Sequence, residues 1–459
     1  MKNKTEYFWY LLSLLVSFGL LQPVIAWAQD PDPVEVTARF ETTPAFDDEE
    51  GRNSDSDDPA IWLHPSEVEN SLVVTTKKEG GLAVFDLDGN EVQDIAAPAA
   101  PEGSEDNKPG RYNNVDLIYS FPLSGSETVD LAIVSDRGSD KLVVFAIDPT
   151  ADGEETLPLT DVTAADVPFI FSEDQAEVNE ERTAYGLAVG YNGDQVVAFA
   201  SQRERPVVAM LSLTTTAESL VDYTVVQTFT LPSEFELPDG STWTPCQEDD
   251  EQLPQVEGMV IDEARGLLYL GQEQVGIWRT SLATPGADLT LLDSVREYGV
   301  PYERTFDEEE EEYVCELLFD QDPGVSPGHL SADVEGLTIY YHPDPEQGYL
   351  LASSQGDNTF AVYERAGSNA YLGSFQVVDS EATDSVQESD GAMVINVPLG
   401  DEFPNGLFVT QDGDNMPVDV DLDGEARANT NFKFVAWEDI ANAFPEPLLI
   451  EPTGWSPRE

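Results

Sequence analysis

The sequence predicts an all-β, six-bladed propeller with long inter-strand loop insertions on one face. Three observations predict it. A pattern of two apolar, β-rich runs separated by a polar loop is written six times. A third short run precedes each pair. The chain has 459 residues and is 41% hydrophobic. That is more than one ordinary domain, but a closed repeat architecture carries it as a single unit with a sizeable core.

The runs, in order, are Asp58–Trp62, Ser71–Thr76 and Leu82–Phe85 for the first blade, then Asn114–Ile118, Asp130–Ser135 and Leu142–Phe145 for the second. The third blade reads Tyr185–Val189, Gln195–Ser201 and Val207–Met210, and the fourth Glu257–Ile261, Gly266–Gly271 and Val275–Trp278. Glu335–Ile339, Gly348–Ser353 and Phe360–Tyr363 make the fifth, and Asp390–Val394, Gly406–Thr410 and Phe432–Val435 the sixth. With Leu82, Leu142, Val207, Ile277, Phe360 and Phe434 as markers, the steps are 60, 65, 70, 83 and 74 residues. Short strands with turns between them, repeated at so long a period, indicate propeller blades with extra length in their loops. Glu35–Phe40 alternates like a strand and is expected to close the ring beside Phe432–Val435, because an open edge strand is a liability.

If the first run of each blade is the inner strand, the second runs antiparallel to it, so the start of one and the end of the other share a face. Around one mouth this gathers Asp57, Asp58, Asn113, Asn114, Tyr185, Glu257, Glu335 and Asp390 with Lys77, Lys78, Asp136, Arg137, Gln202, Arg203, Gln272, Glu273, Gln355, Asp357, Asp412 and Asp414. The mouth is thus a ring of carboxylates with a few cations among them.

Charge weighs the cations. Lys+Arg 21 against Asp+Glu 90 gives a net charge of −69. Such a surface repels nucleic acid and anionic lipid, and suits cations and high salt. Where basic residues are this rare, Lys77, Lys78, Arg137 and Arg203 on one face point to an anion site, since Arg and Lys hold phosphate oxygens. Carboxylates beside an anion site require metal ions between them, and Ca²⁺ takes six to eight oxygens from irregular loops. Metal-assisted chemistry on a phosphorylated substrate follows. The only histidines, His64, His329 and His342, sit in no phosphohistidine motif, and His64 reads as a strand-end surface residue without a role. There is no Gly-x-Ser-x-Gly elbow and no P-loop. Zinc is disfavoured by the lack of His and Cys ligands.

The amino terminus reads as a secretory signal peptide, with Lys2 and Lys4, an apolar Tyr10–Leu21 and a small-x-small site at Ala26-Trp27-Ala28, placing the protein outside the cell or in the periplasm. Losing Lys2, Lys4 and Glu6 takes the charge from −69 to −70. The expected organisation is a signal peptide over 1–28, a segment with the closing strand over 29–45, the propeller over 46–444 and a tail over 445–459. The mature protein is expected to be a monomer with no nucleic-acid or membrane partner.

At this point the residues resemble the calcium-dependent β-propeller phytases, which dephosphorylate myo-inositol hexakisphosphate. The likeness rests on Asp57-Asp-Pro-Ala-Ile-Trp62, Lys77-Lys78 before Gly80-Gly-Leu-Ala-Val84, Asn113-Asn-Val-Asp116, Tyr185-Gly186, Val256-Glu-Gly258, Asp333–Tyr341, Tyr349–Asn358, Asp390-Gly391 and Gly406–Gly413, in the family's order. The resemblance implies that Lys77, Arg137 and Tyr185 contact substrate phosphates, with Arg203 where the family has Lys, in a loop one residue longer. It implies that Glu257, Glu273, Asp333, Glu335 and Asp390, with Asp57 or Asp58, hold the active-site calcium ions, and that Asp384, Asp414 and Asn415 hold a structural one. Gln272 replaces an acidic neighbour of Glu273, and Asp414 a longer Glu. It also implies a second phosphate pocket beside the first.

Phytate is itself a polyanion, so a protein of this charge meets it through bridging cations. These would neutralise both partners and lower the pKa of a shared water, which would attack phosphorus in line while Lys77 and Arg137 stabilise the equatorial oxygens. The alternatives are a non-catalytic calcium-binding secreted propeller and a calcium-dependent propeller lactonase or phosphodiesterase; Lys77 and Arg137 on the carboxylate face favour phosphate over either.

Three local features complete the reading. Cys246 and Cys315 lie in the long loops leading to the inner strands of adjacent blades, on the carboxylate face, and a disulfide is predicted between them. It closes a loop of about seventy residues, worth about 4 kcal/mol in the chain-entropy model. Asp307–Glu312 reads as a solvated loop run. Asp419-x-Asp421-x-Asp423-Gly424 looks like the front half of a calcium loop but lacks an acid at its twelfth position, Thr430.

Overall fold

A computed structural model describes residues 31–458 except 125–126, 154, 308–311, 327 and 421–425. The signal-peptide segment and most of the 419–424 loop therefore lie outside the described residues.

Three short strands, β1 (Val34–Val36), β2 (Phe40–Glu41) and β3 (Ala45–Phe46), precede the ring. The first blade is β4 (Pro59–Trp62), β5 (Leu72–Thr76), β6 (Leu82–Phe85) and β7 (Glu91–Ile95). The second is β8 (Tyr112–Ser124), β9 (Glu127–Asp136), β10 (Lys141–Ile147) and β11 (Leu159–Asp161). After a single helical turn, α1 (Gln175–Val178), come β12 (Ala184–Asn192), β13 (Gln195–Gln202), β14 (Val207–Thr215) and β15 (Val221–Thr230). A small hairpin of β16 (Phe235–Glu236) and β17 (Thr242–Trp243) leads to the fourth blade, β18 (Val256–Asp262), β19 (Leu267–Gln272), β20 (Gly276–Ser281) and β21 (Thr290–Ser294). A second hairpin, β22 (Tyr302–Asp307) with β23 (Glu312–Leu317), precedes β24 (Val334–Tyr341), β25 (Gly348–Ser354), β26 (Thr359–Glu364) and β27 (Tyr371–Val377). The sixth blade is β28 (Ala392–Ile395), β29 (Leu407–Asp412) and, beyond the ribbon β30 (Asp419–Val420) and β31 (Ala426–Arg427), β32 (Asn429–Ala436), followed by α2 (Trp437–Ala443). All six blades are antiparallel within themselves, and the fold is the six-bladed propeller read from the sequence.

The strands read as continuous apolar runs because both faces of a blade are covered by its neighbours. Val73, Val74, Leu82, Ala83 and Val84 of the first blade are all fully buried. The core is accordingly a set of packed layers between blades. One joins the sixth, first and second blades, and others lie between second and third, third and fourth, fourth and fifth, and fifth and sixth. Each fully buried Val or Leu contributes about 1.5–3 kcal/mol.

Closure departs from expectation. The segment read as one strand over Glu35–Phe40 splits: Val34–Val36 runs parallel to β27 of the fifth blade, and only Phe40–Glu41 pairs with Phe434 and Lys433 of the sixth. The Arg39 amide donates to the Phe434 carbonyl at 2.8 Å, and Ala45–Phe46 adds a further pairing to β32. Ala38 is buried between the two halves, so the chain spans two blades where a single edge strand would have covered one. His64 is also corrected. It is buried rather than on the surface, because the loop after β10 folds over it and the Pro149 carbonyl meets its Nε2 at 2.9 Å. Of the acidic run 307–312, Asp307 and Glu312 pair across the hairpin of β22 and β23, and residues 308–311 are not described.

Candidate active site

Four inner strands break their pairing register at the same place, their first few residues: between Tyr112 and Val115, Ala184 and Leu187, Val256 and Met259, and Val334 and Leu337. A bulge re-aims the side chains within it. Those within these four are Asn113 and Asn114, Tyr185, Glu257 and Glu335. The glycine after each acid or tyrosine allows the next blade to follow closely. A Cβ on Gly258 would lie 1.7 Å from the Glu335 carbonyl oxygen, and one on Gly186 2.0 Å from that of Glu257. The ring of functional residues is thus set by backbone packing at the hub.

At the centre, Glu257, Glu273 and Glu335 are buried and each offers an oxygen within 4.8 Å of the others. Asn113 Nδ2 donates to Glu257 at 2.7 Å, and its Oδ1 accepts from Arg137 at 3.2 Å. Gln255 donates to both oxygens of Glu273, at 2.8 and 3.0 Å, and Gln274 bridges Glu273 and Asp333 at 3.2 and 2.9 Å. On the other side, Asp390 accepts from Gln355 at 2.6 Å and from Lys78 at 3.4 Å, and Asp58 accepts from the Val115 amide at 3.0 Å. Burial raises the carboxyls of Glu273, Glu335, Asp57 and Asp58 well above their ordinary values, with neighbouring carboxylates adding to it. Burial takes Asp390 to about 7, against the pull of Lys78, and Asp333 to about 6. Asp57 Oδ2 and Glu335 Oε2 are buried without a hydrogen-bond partner. Orphaned carboxylate oxygens among like charges are costly unless a cation sits between them. The donor set, all hard oxygens, fits calcium.

Cations line one side. Arg137 lies 5.6 Å from the centre of the Tyr185 ring and donates to the neutral Asn113 amide. Burial, with Arg111 and Arg203 nearby, presses its pKa down. Arg203 is 2.9 Å from Glu204 and 3.8 Å from Glu181. Burial and the three central glutamates raise the Tyr185 phenol, keeping it a donor. Arg137, Tyr185, Arg203, Glu273 and Asp333 share a cavity of about 380 Å³ with the insertions before β18 and β24.

Not every residue assigned to the mouth faces it. Asp136, Gln202, Gln272 and Asp412 end their second strands and are used to hold loops: Asp136 accepts from Ser139, Gln202 donates to Arg182, Gln272 to Pro232 and Pro254, and Asp412 pairs with Lys433. Strand alternation sends these side chains outward and the next ones, Arg137, Arg203 and Glu273, inward. Asp357 pairs with Arg296 at 2.8 Å. Lys77 lies in a different environment from Lys78, its ammonium 2.8 Å from Asp94 of β7. Asp384 and Asn415 meet around the buried Lys433 ammonium, which is 2.9 Å from Asn415 Oδ1, and Asp414 is exposed beside them. Cys246 and Cys315 are bonded, with their Cα atoms 6.1 Å apart. The sequence reading missed Asp55, which bonds Lys78 at 2.5 Å, and Gln255 and Gln274, which position Glu273. Gln255 precedes Glu257 by two residues, which was the available signal.

A family model described as Phytase matches residues 7–179 and 319–458. A 3-phytase of Bacillus subtilis (strain 168) is 31% identical over 438 residues, covering 94% of this chain and 91% of its own. Among solved structures, Chaetomium thermophilum Sqt1, bound to the N-terminus of ribosomal protein L10, aligns over 89% of this chain and 91% of its own at 13% identity and a TM-score of 0.38, too low to bear on the argument. By the family match and the full-length relative, the chain belongs to the phytase family.

Proposed function

We propose that this phytase is a secreted, calcium-dependent enzyme that hydrolyses the phosphomonoesters of myo-inositol hexakisphosphate. The observation that carries the reading is the set of three buried glutamates, Glu257, Glu273 and Glu335, with facing oxygens within 4.8 Å, next to Arg137. One group of residues wants a cation and the other an anion, and a calcium-phosphate pair satisfies both.

Glu257, Glu273, Asp333, Glu335, Asp390 and Asp57 or Asp58 would hold the active-site calcium. Bound there, calcium neutralises carboxylate and phosphate oxygens and acidifies coordinated water. Arg137 and Arg203 present N–H donors to phosphoryl oxygens, and Tyr185 donates its phenolic proton. Asn113 bonds both Glu257 and Arg137, and so fixes the metal side of the site relative to the anion side. Lys77 would reach a phosphate by leaving Asp94. Asp384, Asp414 and Asn415 are the proposed structural calcium ligands. Secretion rests on the N-terminal pattern and on the disulfide, a bond of oxidising compartments. No helix among the described residues is long and apolar enough to cross a membrane.

The test is phosphate release from phytate before chelation, after it, and after calcium is restored. Release should vanish and return. Release that survives exhaustive chelation rejects the metal role, and absence of release in saturating calcium leaves a calcium-binding propeller without catalysis.

A further inference from the structure

The stretch between the two family-matched segments, residues 180–318, contains two insertions that meet over the mouth. One runs from β17 to β18, and the other is the hairpin of β22 and β23. They are fastened to each other by Cys246–Cys315, by Arg304, which donates to the Gln247 carbonyl at 2.8 Å and to Asp250 at 2.6 Å, and by the Tyr313 amide on the Glu248 carbonyl at 2.9 Å. Arg304 also stacks 3.6 Å over the Tyr313 ring. The first insertion is tied back to the third blade as well: Arg205 donates to the Glu251 carbonyl at 2.6 Å, and the Leu253 amide to the Glu204 carbonyl at 3.1 Å. So many fastenings make the pair a fixed wall.

The wall and the hub face each other across one cavity of about 380 Å³. The hub side brings Arg137, Arg203, Glu273 and Asp333. The wall brings Trp243, Pro245, Gln247, Leu253, Tyr302 and Leu317, which are apolar or neutral, and one acid, Glu248. Its lining contains no arginine or lysine, so it offers nothing that selects a phosphate by charge.

We propose that the disulfide-joined insertions are the specificity element of this site, their apolar and amide surface packing against the carbon ring of a compact polyphosphorylated polyol while the arginines opposite hold its phosphates. The proposal rests on the phosphatase reading above. Leu253 is exposed on the free protein, as an apolar contact awaiting a ligand would be. A small aryl phosphate, held by its single phosphate at the hub, does not need the wall.

The experiment compares calcium-loaded full-length protein with two variants, Cys246→Ser/Cys315→Ser and Leu253→Ala/Tyr302→Ala, on phytate and on phenyl phosphate. Loss of apolar contact with the substrate body should raise KM for phytate about tenfold in each variant and move kcat/KM for phenyl phosphate by less than about twofold. An unchanged phytate KM, or equal losses on both substrates, overturns the wall. If the disulfide-free variant fails to melt cooperatively in calcium, the Leu253/Tyr302 variant, with the bond intact, decides alone. A wild-type protein inactive on both substrates would remove the phosphatase reading itself, an outcome distinct from a wall that fails to discriminate.

Discussion

Lys77 and Lys78 are adjacent in sequence and serve different carboxylates. Lys77 holds Asp94 on the outer strand of the first blade at 2.8 Å, while Lys78 reaches Asp55 at 2.5 Å and Asp390 at 3.4 Å at the hub. The separation follows from the backbone. Lys78 has a left-handed φ of 44°, and its carbonyl accepts from the Tyr112 amide at 3.1 Å. Lys78 therefore stands as a permanent positive charge among residues that would bind calcium.

Replacing Lys78 with Met should tighten calcium binding and weaken phytate binding together, since the removed charge repels one and attracts the other. Lys77→Met should leave the calcium midpoint within about twofold, its charge being spent on Asp94. Calcium titration of the melting temperature of both variants, with KM for phytate, checks this. Identical calcium midpoints in the two variants contradict it.

Metal-free protein should lose stability as pH rises. Burial takes Asp390 to about 7 and Asp333 to about 6, both above the ordinary 3.8, so the folded state keeps protons that the unfolded chain has released. Their favourable contribution is complete below about pH 4 and lost as pH climbs through about 6–7. Melting temperatures after chelation should fall across that window, and saturating calcium should flatten the fall by binding the deprotonated ring. A rising profile without calcium would refute the assignment.

Arg137→Lys should lower kcat/KM for phytate by about 10²–10³ with little change in melting temperature. The guanidinium contributes its fork to the site, and among the described residues its side-chain partners are Asn113 and the Tyr185 ring, so the fold loses little. Steady-state kinetics beside a thermal melt separates the two effects.

The fourth and fifth blades share a buried ion pair. Arg365, 1% exposed, donates to both oxygens of Asp262 at 2.8 and 2.7 Å. Arg365→Met strands a buried carboxylate and should cost about 3–5 kcal/mol in denaturant unfolding, and adding Asp262→Leu should recover part of it. No recovery would mean that the guanidinium acts through its bonds to His342 and Gln347 instead.

Much of this was legible in the chain. Runs such as Leu82–Phe85 and Leu142–Phe145 announce blades because a strand covered on both faces must be apolar throughout. Tyr185-Gly186, Glu257-Gly258 and Glu335-Gly336 announce the hub because only glycine lets the next blade approach so closely. The rest depended on distant partners. Val34–Val36 and Phe40–Glu41 are too short for their pattern to choose between the fifth and sixth blades. Asp136 and Arg137 are both charged, and only the register of β9 decides that one holds a turn and the other faces the site. The direction of Lys78 was hidden because the left-handed turn that aims it is set on a lysine, where no residue preference points to it.

The stitching of β1 onto β27 and of β2 onto β32 joins the earliest residues of the ring to some of its last. Such pairings join residues very far apart in sequence, and contacts of that span are slow to close. A growing or shortened chain must carry its first strands unpaired, as exposed edges open to aggregation and to proteolysis. The partner of β1 is complete once the chain passes Val377, and that of β2 only once it passes Phe434. Closure of the ring therefore doubles as a proof of length: a truncated product keeps loose ends for proteases to find, and the finished one hides them.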